Sequence, residues 1–253
     1  MRPNLVRQKL NAGEVVIGCF VGFPSPEVVE LCGHSGYDFV LIDAEHGAIT
    51  PASAYHMVLA AEATGTVPLI RVPHNEPSII LRYMDIGAAG VMVPQINSAA
   101  EARAVVQAVK YHPQGNRGLA PTRAASYGFG ATLSEYTEIS NRETIVIAQI
   151  ENIVGVEKVP EILDVPGIDV LLIGPSDLAQ SLGYPGQLGH PEVLEAIERI
   201  CEMCQGSDVA LGTIAADAQT TNRLIERGFR MITPSASGLI AAWSRDYLAN
   251  IKR

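Results

Sequence analysis

Two acidic residues, Glu151 and Asp177, each close an apolar run: Thr144-Ile-Val-Ile-Ala-Gln-Ile-Glu151 and Asp169-Val-Leu-Leu-Ile-Gly-Pro-Ser-Asp177. Both runs are too short and too β-branched for helices, so a buried strand is expected to carry each carboxylate to its C-terminal end. On neighbouring parallel strands the two would form a pair of hard oxygen donors with open positions, which suits Mg²⁺ or Mn²⁺. Taken singly, either acid serves equally well as a loop cap or as a first-turn residue favoured by a helix dipole. A third run tips the balance, because Val40-Leu-Ile-Asp-Ala-Glu-His-Gly47 ends in Asp43, Glu45 and His46. A histidine leaving a strand end beside acids is a candidate general base.

Further strand ends add compatible chemistry. Arg71, inside Leu69-Ile-Arg-Val-Pro73, is a charge in an apolar run, and such a charge is costly unless it meets an anion. Its fork fits a carboxylate or an oxo group, and an internal salt bridge is the competing use. Gln95 follows one run, Gln149 lies within another, and Gly174-Pro-Ser-Asp-Leu178 reads as a strand turning into a helix. The N–H groups near Ser176 and Asp177 could then receive a substrate carboxylate. Among the other histidines, His34, His56 and His190 read as surface or core residues, and His74 as a weaker candidate near the site. A Schiff-base aldolase needs a lysine at the site, yet Lys9, Lys110, Lys158 and Lys252 fall in helices, loops or termini. A divalent cation holding a 2-oxo acid and its enolate is the economical alternative.

Elements that could bring these residues together alternate along the chain. Buried-strand patterns are expected at 15–21, 38–42, 68–72, 90–94, 144–150, 169–174, 209–214 and 229–233. Helical stretches separate them at 26–34, 51–63, 77–86, 99–109, 155–162, 191–205 and 217–226, several opened by proline. Alternating units imply parallel strands with right-handed crossovers, and eight of them fit an α/β fold of the (β/α)₈ TIM-barrel type over residues 1–253. No G-x-G-x-x-G turn follows the first strand, which argues against dinucleotide binding. The stretch from Lys110 to Asn141 is long for a connection and reads as a functional loop.

Length and composition fit one large domain. The chain has 253 residues, 47% hydrophobic and 18% charged, enough for a sizeable core. A net charge of −9 argues against nucleic-acid binding. Nothing approaches the ~18 apolar residues of a membrane helix or the pattern of a signal peptide, so the expected compartment is the cytoplasm, without a membrane partner. Cys19, Cys32, Cys201 and Cys204 read as buried or half-buried thiols; Cys201-Glu-Met-Cys204 lies deep in a helical stretch, a poor place for a redox or zinc motif.

The chain resembles the HpcH/HpaI aldolase family of class II pyruvate aldolases. The resemblance rests on Tyr37-Asp-Phe-Val-Leu-Ile-Asp-Ala-Glu-His-Gly47, Ile70-Arg-Val-Pro73, Asp85-Ile-Gly-Ala-Ala-Gly-Val-Met-Val-Pro94, Tyr111-His-Pro-Gln-Gly-Asn-Arg-Gly118, Gln149-Ile-Glu151 and Ile173-Gly-Pro-Ser-Asp-Leu178. It implies a barrel assembled as a homo-oligomer, a hexamer, with Mg²⁺, Mn²⁺ or Co²⁺ held by Glu151 and Asp177. The implied reaction is reversible aldol cleavage of 4-hydroxy-2-oxo acids to an aldehyde and pyruvate or hydroxypyruvate. His46 would be the base, steadied by Asp43 and Asp85; Arg71 would polarise the oxo group; Gln149, Gly174, Ser176 and Leu211 would complete the substrate-binding set. Ser176 stands where many relatives carry alanine and is expected to tune donor choice toward hydroxypyruvate. Thr233-Pro-Ser-Ala-Ser-Gly238 also departs from the family pattern after the last strand. On the acceptor side, Arg117, Arg123 and Tyr127 are expected either to meet a polar aldehyde or to bridge subunits. Two alternatives stay open at this point: a CoA-ester lyase of the citryl- or malyl-CoA type, and a non-catalytic barrel that binds 2-oxo acids.

Overall fold

The computed structural model describes residues 2–252. Its strands are β1 (Val16–Val21), β2 (Phe39–Asp43), β3 (Val67–Arg71), β4 (Gly90–Val93), β5 (Ile145–Ile150), β6 (Val170–Ile173), β7 (Ala210–Ile214) and β8 (Met231–Thr233). They pair in parallel, each with the next, and β8 returns to β1 to close the barrel. Each expected strand is present, with ends shifted by no more than two residues.

Alternation along each strand sorts its side chains into two layers. Phe39, Leu41, Leu69, Met92, Ile147, Leu172 and Met231 fill the barrel interior. Their neighbours Val40, Ile42, Ile70, Val93, Ala148 and Leu171 pack outward against the helices. Because both faces are buried, the strands read as unbroken runs of Val, Ile and Leu. A short helix that sequence patterning missed, Leu5–Asn11, closes the N-terminal end of the barrel by sending Val6 and Leu10 into the interior cluster.

Local sequence sets where the crossover helices begin. Ser25, Thr50, Ser98 and Thr132 each cap a helix by accepting a backbone N–H two or three residues into it, and Pro26, Pro51 and Pro77 occupy first positions. The expected loop over 110–141 is reshaped: it holds a 3₁₀ stretch, Arg123–Gly128, and a helix, Leu133–Glu143, that Thr132 and Glu135 open as a capping box. This segment joins a helix to β5, so it lies at the N-terminal rim of the barrel, where Arg123 donates to the carbonyl of Ile86 at 2.9 Å. A further helix, Pro175–Ser181, follows β6 directly. The last helix, Ala236–Ala249, buries only Ala236 and leaves Trp243 68% exposed.

Candidate active site

All eight strands are parallel, so their C-terminal ends form one mouth, and the inward positions there are set by counting in twos from the interior side chains. That count carries Leu41 to Asp43, Leu69 to Arg71, Ile147 to Gln149 and on to Glu151, and Leu172 to Gly174. Residues far apart in sequence therefore share one surface.

Asp43 and Arg71 are register partners across β2 and β3. Arg71 Nε donates to Asp43 Oδ1 at 2.9 Å and Nη2 to Oδ2 at 2.7 Å, a bidentate pair in a buried setting. Asp43 Oδ1 also accepts the backbone N–H groups of Glu45 at 3.1 Å and His46 at 3.3 Å, which fixes the turn leaving β2. Arg71 Nη1 lies 3.1 Å from Glu45 Oε2, an ion pair without hydrogen-bond geometry, and the guanidinium carbon stacks 4.6 Å from the centre of the Phe20 ring. The salt bridge that competed with substrate for Arg71 is thus present. It consumes Nε–H and one edge of the fork, so part of the five-donor guanidinium remains for a ligand.

Glu151 is held from two sides. Its Oε1 accepts the backbone N–H of Gln95 at 2.8 Å, and Gln149 Nε2 donates to Oε2. Gln95 adopts a left-handed φ of 58°, an uncommon state for a non-glycine residue that turns its N–H toward the carboxylate. Burial pushes the Glu151 carboxyl up to about 7; the Gln95 N–H opposes this, and the like charges of Glu45 and Asp177 reinforce it. Glu45 is raised for the same leading reason, with Arg71 and His46 pulling it down and Asp43 and Asp177 pushing it up. Asp177 sits in the first turn of Pro175–Ser181, half-buried beside this acidic cluster.

The arrangement fits a divalent cation on two observations. Gly174 leaves a cradle: a Cβ there would lie 2.8 Å from Glu151 Oε2 and 2.9 Å from Gln149 Nε2. Gln149 Oε1 is buried without a hydrogen-bond partner beside a carboxylate that its like-charged neighbours disfavour. Among the described residues no three His, Cys, Asp or Glu side chains form a closed metal cage. Two carboxylates with remaining positions open to ligand are what a Lewis-acid site requires.

His46 stands at the same mouth with its side chain 63% exposed and Nε2 4.0 Å from Glu45 Oε2. Asp43 steadies its backbone rather than its ring. Three expectations need correction within the single chain. Asp85 ends the helix Pro77–Asp85, which runs back from the mouth to the opposite rim, and it accepts from Arg117 Nη2 at 2.7 Å instead of meeting His46. Leu211 falls on the outward phase of β7 and packs in the layer between strands and helices. The inward, mouth-facing residue of that strand is Ile214, 37% exposed at its end. Arg117, Arg123 and Tyr127 all line the N-terminal rim, and Arg123 is held by Glu62 through contacts of 2.6 and 3.1 Å. Sequence reading thus missed Ile214, Phe20 and the ion pair of Glu45 with Arg71; counting β7 in twos from an interior residue would have found the first.

Known proteins resemble this chain over nearly its whole length. The sequence model of the family described as HpcH/HpaI aldolase/citrate lyase matches residues 16–241. A hydroxypyruvate/pyruvate aldolase of Roseobacter denitrificans is 32% identical over 229 residues, 90% of this chain and 89% of that one. A 2-keto-3-deoxy-L-rhamnonate aldolase of Escherichia coli is 34% identical over 231 residues, 90% of this chain and 85% of its own. The crystal structure of a HpcH/HpaI aldolase/citrate lyase family protein from Burkholderia cenocepacia superposes with a TM-score of 0.92 at 32% identity, covering 97% of this chain and 98% of that one.

Proposed function

We propose a specific reaction for this chain from the premise that it belongs to the HpcH/HpaI aldolase/citrate lyase family and is an aldolase: it cleaves and forms 4-hydroxy-2-oxo acids, with pyruvate or hydroxypyruvate as donor and an aldehyde as acceptor. The observation that carries this reading is the cluster of Glu151, Gln149 and Asp177 around the Gly174 cradle, next to a buried guanidinium.

Glu151 and Asp177 would hold Mg²⁺, Mn²⁺ or Co²⁺, which when bound supplies a Lewis acid for the 2-oxo group. Arg71 directs its remaining N–H donors at the oxo oxygen and stabilises the negative charge that develops there as the C3–C4 bond breaks. Asp43 keeps the guanidinium in one orientation, so little reorganisation accompanies the reaction. His46 takes the proton of the C4 hydroxyl during cleavage, leaving the aldehyde, and returns a proton to C3 of the enolate to give the released 2-oxo acid. Gln149 orients the donor, and the N–H groups of Ser176 and Asp177 that open their helix receive its carboxylate. Ser176, exposed at the mouth, offers a hydroxyl to the 3-OH of hydroxypyruvate.

The assembly that goes with this reading is a homo-oligomer, a hexamer, and the exposed Ile240, Trp243 and Tyr247 of the last helix support such an association. No helix among the described residues is long and apolar enough to cross a membrane, and the reading places the enzyme in the cytoplasm.

Proton–deuterium exchange at the methyl group of pyruvate in D₂O, followed by NMR, tests the chemistry without knowledge of the acceptor. Enzyme stripped with EDTA should be silent, and Mg²⁺, Mn²⁺ or Co²⁺ should restore an exchange that falls roughly 10²–10⁴-fold in His46→Ala. No exchange with any of the three ions would refute the reading. Equal hydroxypyruvate-to-pyruvate ratios in wild type and Ser176→Ala would remove the role given to Ser176.

A further inference from the structure

The Asp43 carboxylate restrains the Arg71 guanidinium in one direction only. Its two bonds, 2.9 Å from Nε and 2.7 Å from Nη2, align the two groups within their common plane. Tilting the guanidinium out of that plane disturbs these bonds little, because a carboxylate oxygen accepts over a broad range of angles. Glu45 adds an ion pair with Nη1 at 3.1 Å, but without hydrogen-bond geometry that attraction has no preferred direction. The free donors of Arg71 keep one aim only if a second restraint acts along the normal to the plane.

Phe20 lies on that normal. The guanidinium carbon stands over its ring, 4.6 Å from the centre, and both residues are 6% exposed. A cation over an aromatic face is drawn to the negative side of the ring quadrupole, and more strongly when both are out of water.

The ring is itself firmly mounted. Phe20, Arg71, Gln149 and Ile214 take the last inward positions of β1, β3, β5 and β7, the layer of four that alternate strands contribute beneath the mouth. The Phe20 N–H donates to the carbonyl of Pro234 at 2.8 Å, and on its other side the residue is the register partner of Leu41. Two residues earlier Gly18 has no side chain, and a Cβ there would collide with the Phe39 ring, which fills the inward space below Phe20. An aliphatic residue would occupy the volume of Phe20 as Leu41, Leu69 and Leu172 do lower in the barrel; a flat ring adds a face on which a planar cation can rest.

We propose that Phe20 is a positioning residue of the aldol site: its ring holds the Arg71 guanidinium against tilting, so the free N–H donors stay aimed at the oxo oxygen while enolate charge develops there. The catalytic consequence rests on the aldolase reading, whereas the restraint on Arg71 does not.

Changing the charge of the ring face without changing its shape tests this. Phenylalanine bearing one, two or three ring fluorines, placed at position 20 by amber suppression, weakens the negative face stepwise while filling the same space. Metal-dependent exchange of pyruvate protons in D₂O should fall at each step, by about tenfold with three fluorines. Phe20→Leu should lose roughly 10²-fold, the scale of an ångström of misplacement, and Phe20→Trp, which keeps an aromatic face, should recover most of that rate. The loss should lie in kcat, with KM for pyruvate changed by less than about threefold, because the interaction strengthens only as charge develops. Oxalate, a stable mimic of the enolate, should lose affinity in step with the rate, while calorimetric Mn²⁺ affinity holds. Crystal structures of wild type, the trifluoro protein and Phe20→Leu read the restraint directly, and the guanidinium should leave its plane in Phe20→Leu. Absence of exchange in wild type would sink the aldolase reading and leave these structures to decide the restraint. A flat response across the fluorine series, a loss confined to KM, a parallel loss of Mn²⁺ affinity, or an unmoved guanidinium would each overturn the role of Phe20. If Phe20→Leu folds poorly, the fluorine series and its structure decide alone, since the core keeps its shape.

Discussion

Replacing Glu151 by glutamine in the metal-free protein should raise its stability while removing its activity. In the folded chain burial holds this carboxyl up at about 7, against an ordinary value of 4.5. Between those limits the folded state binds more protons than the unfolded one, so stability falls as pH rises through the window, and the full penalty is present above about pH 7. The shift corresponds to about 3 kcal/mol at 1.36 kcal/mol per unit, reduced to about 2 by solvent reaching the mouth. Glutamine removes the charge yet keeps the acceptor for the Gln95 N–H. Its new amide would meet the Gln149 Nε2 donor, but Gln149 can turn over and offer its unpartnered Oε1. At about pH 8 with EDTA present, the variant should therefore melt roughly 4–8 °C above wild type, using 2–4 °C per kcal/mol for a chain of this size. Near pH 4.5 the two should coincide. Added Mg²⁺ should raise the wild-type melting temperature at about pH 8 by mass action and leave the variant unmoved. Calorimetric scans across this pH range check all three points, and a variant that melts below wild type at pH 8 in EDTA would refute the electrostatic account of the site.

Three other perturbations separate the parts of the molecule. Gly174→Ala puts a methyl carbon 2.8 Å from Glu151 Oε2 and 2.9 Å from Gln149 Nε2, so Mn²⁺ affinity by calorimetry should fall at least tenfold and pyruvate exchange by about 10², the scale expected when a reacting group is displaced by about an ångström. Leu211→Ala should cost about 3 kcal/mol in urea unfolding with donor exchange intact, because the residue fills the outer core, whereas Ile214→Ala should change stability little and alter aldehyde selectivity. Lys110, whose Nζ donates to the carbonyls of Asn141 and Thr144 at 2.9 and 2.7 Å, is pushed by burial down to about 8. The unfolded chain therefore binds more protons above that pH, and wild type should gain about 2 kcal/mol relative to Lys110→Met between about pH 7.5 and pH 10 in paired urea titrations.

How far the sequence could be read depended on whether a signal was local. The eight strands were legible because a barrel buries both faces of each strand, leaving runs of Val, Ile and Leu with no solvent side to interrupt them. Helix starts were legible where a proline or hydroxyl cap sits beside the first turn, as at Ser25-Pro26 and Thr50-Pro51. Leu133–Glu143 was missed although Thr132 and Glu135 spell a capping box, because the glycines and arginines before it suggested continuous loop. The short helix Leu5–Asn11 offered too few turns to show a period, whereas the start of Pro175–Ser181 was legible in Gly174-Pro-Ser-Asp-Leu178 as a strand turning into a helix.

The sequence by itself determined the order of units, the strand ends at which Asp43, Arg71, Gln149, Glu151 and Gly174 occur, and the family to which these motifs correspond. Those features follow from local periodicity and from residue types, which need no knowledge of distant partners. Only the tertiary structure decided which side of each strand faces the mouth, since a shift of one residue reverses every side chain; Leu211 and Ile214 differ by that phase alone. It also decided that Asp85 and Arg117 meet at the far rim, because a crossover helix must return the chain to the end from which its strand began. The raised carboxyl of Glu151 belongs to the same category: burial and the charges of Glu45 and Asp177 act through space and leave no mark on the residues adjacent in the chain.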